Sequence, residues 1–150
     1  MSKVIAAGVF IVNKDNRVLI CHSTNHAPNT YSIPKGVVEE NESHRKAACR
    51  ETLEETNIDI SKYDSLLPLS PVKYRHGKKT IYPFVLLEVT NTRIDFSSFD
   101  IKCNSMVPEE LGGFPEVDSF LWASLDDAEK LLHYTQASCI PKIKELLLNG

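Results

Sequence analysis

Residues 43–57 can be built in few ways, because Glu51, Glu54 and Glu55 stand at i, i+3 and i+4 while Ala48, Cys49, Thr52, Leu53 and Thr56 recur on the other side at helical spacing. An α-helix gathers the three carboxylates into one row, shared with Ala47, and leaves small and apolar side chains behind them. Such a helix lies with its small face on a sheet and turns its acidic face to a cleft. Like charges at this spacing destabilise an isolated helix by about 0.2–0.5 kcal/mol per pair, so the row is a modest liability unless a cation compensates it. Oxygen donors in a row suit hard divalent ions. A solvated acidic stripe would look the same from E-x-x-E-E alone, so the flanking residues have to decide. Ser43 stands where the helix needs an N-cap.

Reading back from the row gives Arg50, Glu42 and Gly36, in the segment GVVEENESHRKAACRETLEETNI at residues 36–58. It resembles the Nudix box. That pattern is Gly, five residues, Glu, seven residues, then Arg-Glu-apolar-x-Glu-Glu-x-Gly-apolar, and Gly36, Glu42, Arg50, Glu51, Glu54, Glu55 and Ile58 fall in register with it. Two positions depart: Thr52 occupies an apolar site, and Asn57 stands where the family has Gly. Asn is the residue after Gly that best tolerates the left-handed conformation of a helix C-terminus, at a cost of about 1 kcal/mol, so the loop is expected to survive. A Glu just ahead of the helix can fold back on an Arg two turns later, which makes Glu42 and Arg50 a structural pair.

The resemblance implies an α/β fold, the Nudix α/β/α sandwich with a mixed sheet between helices. It also implies hydrolysis of a phosphoanhydride in a nucleoside diphosphate linked to another group, with Mg2+ or Mn2+ as the cofactor. Carried over position by position, Glu54 and Glu55 would ligate the metal and Glu51 would ligate or act as base. In FPEVDSFLW at 114–122, Glu116 lies where some members carry a further acidic residue, making it the candidate fourth carboxylate for metal or base, with Glu109 and Glu110 as fallbacks. Which Glu is the base stays open. In YSIPKG at 31–36 the chain is expected to turn sharply. Pro34 pushes Ile33 to an extended conformation and Gly36 allows close approach, so the carbonyl of Lys35 or Gly36 is a candidate metal ligand. Lys35 could also meet phosphate as a point charge.

An aromatic ring to stack on a base is sought among Tyr31, Tyr82, Phe84 and Phe114. His76 and Lys79 are candidates for further phosphates, while His22, His26 and His133 read as ordinary polar residues. SIPKG, FPEVD and Gln136 look most like a subgroup of small nucleoside-triphosphate pyrophosphohydrolases. The reading therefore leans to nucleoside triphosphates or diadenosine polyphosphates. The RNA 5′ end, an inositol pyrophosphate, and a nucleotide sensor that does not cleave are the alternatives; the intact Glu51, Glu54 and Glu55 speak against the sensor.

Composition narrows the rest. At 150 residues, 42% hydrophobic and 25% charged, residues 1–150 read as one domain with a full core. A net charge of −3 gives no footprint for long nucleic acid, despite a local patch at Arg75, His76, Lys78 and Lys79, so a small-molecule nucleotide partner is expected. Cys21, Cys49, Cys103 and Cys139 lie far apart, which indicates neither a zinc site nor disulfides and fits a reducing cytoplasm. The apolar start MSKVIAAGVFIV is too short to span a bilayer and reads as a first strand. Nothing chooses between monomer and homodimer.

Along the chain, apolar runs at 4–12 and 17–22 around the NKDN turn suggest a hairpin or bent strand pair, followed by a loop at 23–30 and a strand at 31–33. A second hairpin is expected from 72–75 and 80–90, with Pro83 bulging it or placing it at an edge. Residues 91–114 lack periodicity and suggest a flap over the substrate. A strand at 118–122 then leads to a helix capped by Ser124 that runs to His133, and Thr135 opens another to about Leu148.

Overall fold

The computed structural model describes residues 3–91 and 93–149. Met1, Ser2, Thr92 and Gly150, which belong to the expected first strand, the 91–114 connection and the end of the domain, lie outside the described residues. The strand β1 (Val4–Val12) is apolar on both sides of its pleat, which requires cover on both faces. It runs parallel to β7 (Lys79–Leu87), from Val4 beside Lys79 to Val12 beside Leu87.

The NKDN turn closes as expected, with Asn16 left-handed at φ 60°, but it does not produce an extended hairpin. Among the described residues, β1 and β2 (Arg17–Ser23) pair at Val12 and Val18 and then part. From there β2 runs against β8 (Val117–Ser124). The fork between them is filled by β3 (Tyr31–Ser32) on β2 and β4 (Lys35–Val37) on β1. YSIPKG therefore crosses from one arm of the fork to the other, with the expected turn present as a bend at Pro34. The Pro34 carbonyl accepts from Val9 N–H (3.1 Å) at the crossing.

The second hairpin forms between β6 (Val72–Lys73) and β7, and a further short strand, β5 (Leu67–Pro68), also pairs with β7. Pro83 is neither at an edge nor in a bulge: it sits inside β7, opposite Gly8 of β1. Its carbonyl accepts from Leu69 N–H (2.9 Å), so the side lacking a donor faces the break between β5 and β6, where no ladder bond is owed.

Alternation along the strands builds two cores. Val9, Ile11, Leu19, Phe84 and Leu86 face α1 (His44–Thr56), joined by Ile58, Ile60 and Phe96. Phe10, Val12, Val18, Ile20, Ile81 and Val85 face Ala128, Leu132, Ile140 and Ile143 of the C-terminal region, where α2 (Leu125–Leu131), α3 (Tyr134–Ala137) and α4 (Ile140–Asn149) lie. Each such fully buried side chain contributes about 1.5–3 kcal/mol. The result is a mixed sheet between helical layers. Ser124 caps α2 through Asp127 N–H (3.1 Å) as expected, but His133 rather than Thr135 starts α3. The expected single last helix is broken before α4, because Pro141 cannot donate back across the junction and instead occupies the first turn of a new helix. Among the described residues no helix is long and apolar enough to cross a membrane.

Residues 93–116 are tethered to the body rather than forming a free flap. Phe96 is buried beside Trp122 (ring centroids 6.0 Å apart), and Lys102 and Asn104 donate to carbonyls in the last turn of α1.

Candidate active site

Ser43 accepts from Lys46 N–H (3.1 Å) and opens α1. The stripe Ala48, Thr52 and Thr56 is buried, and the two threonines satisfy their hydroxyls on the carbonyls of Ala48 (2.7 Å) and Thr52 (2.6 Å). Ala47 is buried as well, while Leu53 is 41% exposed, the reverse of the side each was assigned from the helical wheel. The row Ala47, Glu51, Glu55 thus runs along the border of the buried stripe. It carries two of the three carboxylates into the seam between α1 and β4 instead of out to solvent.

That seam explains Gly36. Its Cα lies directly beneath the Glu51 carboxylate, and a methyl group there would overlap it. One residue earlier, Lys35 N–H donates to Glu55 Oε1 (3.1 Å). Burial, then the charge of Glu54, pushes the Glu51 carboxyl up to about 7. Burial pushes Glu55 up to about 8 against the opposing pull of Lys35 N–H, with the charges of Glu51 and Glu116 adding to the rise. Lys35 is pushed below the ordinary lysine range by its own burial and by Lys79.

Arg50 holds the other side. Its Nε and Nη2 donate to Glu42 (2.8 and 3.0 Å), Nη2 also reaches the Val37 carbonyl (3.0 Å), and Nη1 meets Glu51 (2.6 Å) and Glu54 (3.4 Å). The fork matches the pairing expected of Glu42 and Arg50, and it holds Glu42 at about 2. Stability from this pair is present above the ordinary Glu value of 4.5 and is lost as pH falls toward 2. Arg50→Lys keeps the charge and loses the fork, so it is expected to lower the urea-unfolding free energy at pH 7 by about 1–2 kcal/mol. The wild-type advantage should shrink below pH 4 as Glu42 protonates.

Glu116 lies across the seam, beside Thr24, His26, Phe114 and Val107 in a cleft of about 440 Å³. Its carbonyl accepts from Thr24 N–H (3.0 Å), so the 23–30 loop lies against it. Glu109 and Glu110 are exposed on a separate turn, Glu109–Leu111, and the charge that reaches Glu55 is that of Glu116. His22 is less ordinary than its sequence context suggests: its ring spans Asp118 (2.7 Å) and the Ala27 carbonyl (2.9 Å), which ties down the same loop.

On the other face of Lys35 a groove of about 220 Å³ is lined by Tyr31, Tyr74, His133 and Gln136. Lys79 Nζ lies 5.0 Å from the Tyr74 ring, His76 stacks on that ring at 5.6 Å and His133 approaches it at 5.1 Å. Gln136, 1% exposed, takes Ile33 N–H (2.9 Å) and donates to Ser32 (3.2 Å), so α3 holds the end of β3 and the link that leads to Lys35. Tyr31 therefore lines this groove, His76 and Lys79 lie beside its Tyr74 ring, and Phe114 lines the Glu116 cleft. Tyr82 and Phe84 are not: strand alternation turns both to the α1 face, where Tyr82 stacks on His44 (3.9 Å) and Phe84 is core. Tyr74 and His133 were missed as groove residues. The one available signal was an aromatic residue and a lysine flanking the same HGK turn.

The carboxylates offer only oxygen, two of them are buried together, and glycine leaves room above the strand for one of them; this donor set fits a hard divalent cation. While Arg50 holds Glu51 and Glu54, no three His, Cys, Asp or Glu side chains among the described residues converge at ion-holding distance.

The profile of the NUDIX domain matches residues 2–143. The chain belongs to the NUDIX family. Among its relatives, nucleoside diphosphate-linked moiety X motif 6 of Xenopus laevis is 30% identical over 110 residues, covering 70% of this chain and 50% of that one. An RNA pyrophosphohydrolase of Pelagibacter ubique is 37% identical over 51 residues, covering 34% of this chain and 32% of that one. The chain thus spans a third to a half of the length of these curated relatives. Its fold is shared with a C. elegans Ap4A hydrolase solved as a binary complex, with a TM-score of 0.67 and 22% identity over 97% of this chain and 99% of that chain.

Proposed function

We propose that this NUDIX protein hydrolyses a phosphoanhydride bond in a nucleoside polyphosphate, with a nucleoside triphosphate or a dinucleoside polyphosphate as the leading substrate class. The observation that carries this reading is the continuity of two features through one residue. The backbone of Lys35 is bonded to the carboxylate seam, and its side chain borders the groove of Tyr31 and Tyr74, with Lys79 beside the Tyr74 ring. A molecule with adjoining phosphates and a planar base matches both ends. The likeness to an Ap4A hydrolase supports the same class, and the partial likeness to RNA pyrophosphohydrolases keeps the RNA 5′ end as the second reading.

Glu54 and Glu55 would hold a divalent cation, magnesium or manganese, with Glu51 either holding it too or taking the proton of the attacking water, and Glu116 filling the remaining role. When bound, the cation supplies neutralisation of phosphate charge and a more acidic water. Lys35 places an amino group between the carboxylates and the groove, where it would meet phosphate. Tyr31 and Tyr74 offer rings for a base.

A nucleotide panel with and without magnesium, read by product separation, tests the reaction. Glu54→Gln with full turnover would overturn the metal role. Lys79→Ala is expected to raise KM for a triphosphate roughly tenfold with little change in kcat, as a lost charge-assisted phosphate contact should. For an RNA substrate, inhibition by salt would steepen with chain length, whereas a free nucleotide shows no such trend.

A further inference from the structure

We propose that Asn57 and Asn104 form a clasp that positions Glu116 against the carboxylates of α1, so that Asn at the box position normally held by Gly is a working part of the site; this rests on the role proposed for Glu116 in metal binding or proton transfer. The last turn of a helix leaves carbonyls without partners. Here the 100–104 segment supplies them: Asn104 N–H donates to the Glu54 carbonyl (2.7 Å) and Lys102 N–H to that of Thr56 (3.1 Å). Asn57 adopts the left-handed conformation, φ 66° and ψ 13°, and its own N–H caps Leu53 (2.9 Å).

Glycine would give that backbone geometry but has no side chain with which to reach the 100–104 segment. The Asn57 side chain donates to the Asp100 carbonyl (2.9 Å) and accepts from Asn104 Nδ2 (2.9 Å), which also reaches the Leu53 carbonyl (3.1 Å). The segment is thereby stitched to the turn of α1 that bears Glu54 and Glu55.

The next residue passes the constraint on. The Ser105 carbonyl accepts from Glu116 N–H (3.0 Å), and Val107 N–H donates to the Phe114 carbonyl (2.8 Å), making a short ladder that carries Glu116. On its other side Glu116 is held by Thr24. One chain of bonds from the helix to Glu116 therefore runs from Asn57 through Asn104 and Ser105, beside the backbone bonds of Lys102 and Asn104 to α1 and the hold of Thr24. The side-chain bonds are exposed, so water replaces them when they are cut, and the backbone bonds of Lys102 and Asn104 keep the fold together. What changes is placement.

The test compares Asn57→Gly, Asn104→Ala, Glu116→Gln and the double variant Asn57→Gly/Glu116→Gln. Readouts are thermal midpoint, amide hydrogen exchange at Glu116, Mn2+ affinity of the metal-free protein by electron paramagnetic resonance, and turnover. Asn57→Gly removes a strained residue, so its midpoint should equal or exceed that of the wild type. Exchange at Glu116 should nevertheless quicken, and Mn2+ affinity and kcat fall, each by roughly tenfold for two lost hydrogen bonds, with KM little moved. Asn104→Ala should reproduce those losses. In the Glu116→Gln background Asn57→Gly should add nothing. Wild-type exchange and Mn2+ affinity in Asn57→Gly, or an undiminished additional loss in the double variant, overturn the clasp. If Glu116→Gln itself binds Mn2+ and turns over as the wild type does, it is the role of Glu116 that falls.

Discussion

Gly36→Ala is expected to yield a folded protein whose turnover is lower by at least about a hundredfold. The backbone at Gly36 is a β-strand residue paired with Ala7, so alanine fits its conformation. The obstacle is the Glu51 carboxylate, which occupies the space a methyl group needs. That carboxylate ends a flexible side chain, so it moves aside cheaply, and the thermal midpoint should change by no more than a few degrees. Displacing it breaks the alignment of Glu51 with Glu55 across the seam. Misplacing a reacting or ion-holding group by about 1 Å is enough for a loss of this size. Steady-state kinetics beside a thermal melt separate the two effects. An alanine variant that turns over normally would remove Glu51 from the chemistry, whereas one that fails to fold would show that the strand, not the carboxylate, needs the glycine.

Glu55→Gln carries the second large effect, and in two directions. Turnover should fall roughly 10²- to 10³-fold, as for removal of one charge from an electrostatic site. The metal-free variant should meanwhile be more stable than the wild type at pH 8. Burial raises the Glu55 carboxyl from 4.5 to about 8, so the folded protein keeps a proton that the unfolded chain has already released. Its stabilising share is complete below about pH 4.5 and is lost as pH rises through 8. Glu51, raised to about 7, adds to the same slope. Thermal melts of metal-free protein from pH 5 to pH 8 should therefore decline in the wild type and decline less in Glu55→Gln. Added magnesium should restore the wild type at pH 8 and leave the variant where it was. Equal slopes in the two proteins would mean that Glu55 is not buried in the seam.

The box helix was legible because spacing alone dictates it: Ser43 as cap, the acidic row, and the Glu42 and Arg50 pair all follow from local chemistry. Asn57 was legible for the same reason, since few residues end a helix left-handed. Neighbours distant in sequence were not. The wheel placed Leu53 inside and Ala47 outside because it has no knowledge of which flank meets β4. Tyr82 carried the right chemistry, but the face to which a strand turns it depends on register with β1. The proline rule misplaced Pro83, because β7 owes no bond on the side where β5 and β6 are interrupted. Residues 91–114 read as a flap because the bonds that tether Lys102 and Asn104 to α1 are made by backbone groups, which composition does not reveal.

The long parallel pairing of β1 with β7 bears on how this molecule reaches its native state. Val4 and Lys79 meet only after everything between them, the acidic helix included, has been gathered into one closed loop. Contacts so remote in sequence raise the entropic barrier to refolding and place such chains toward the millisecond-to-second end of the range. The carboxylate seam, which needs β4 on β1 as well as α1, is enclosed within that loop, and a chain stalled midway would expose the unpaired apolar side of β1.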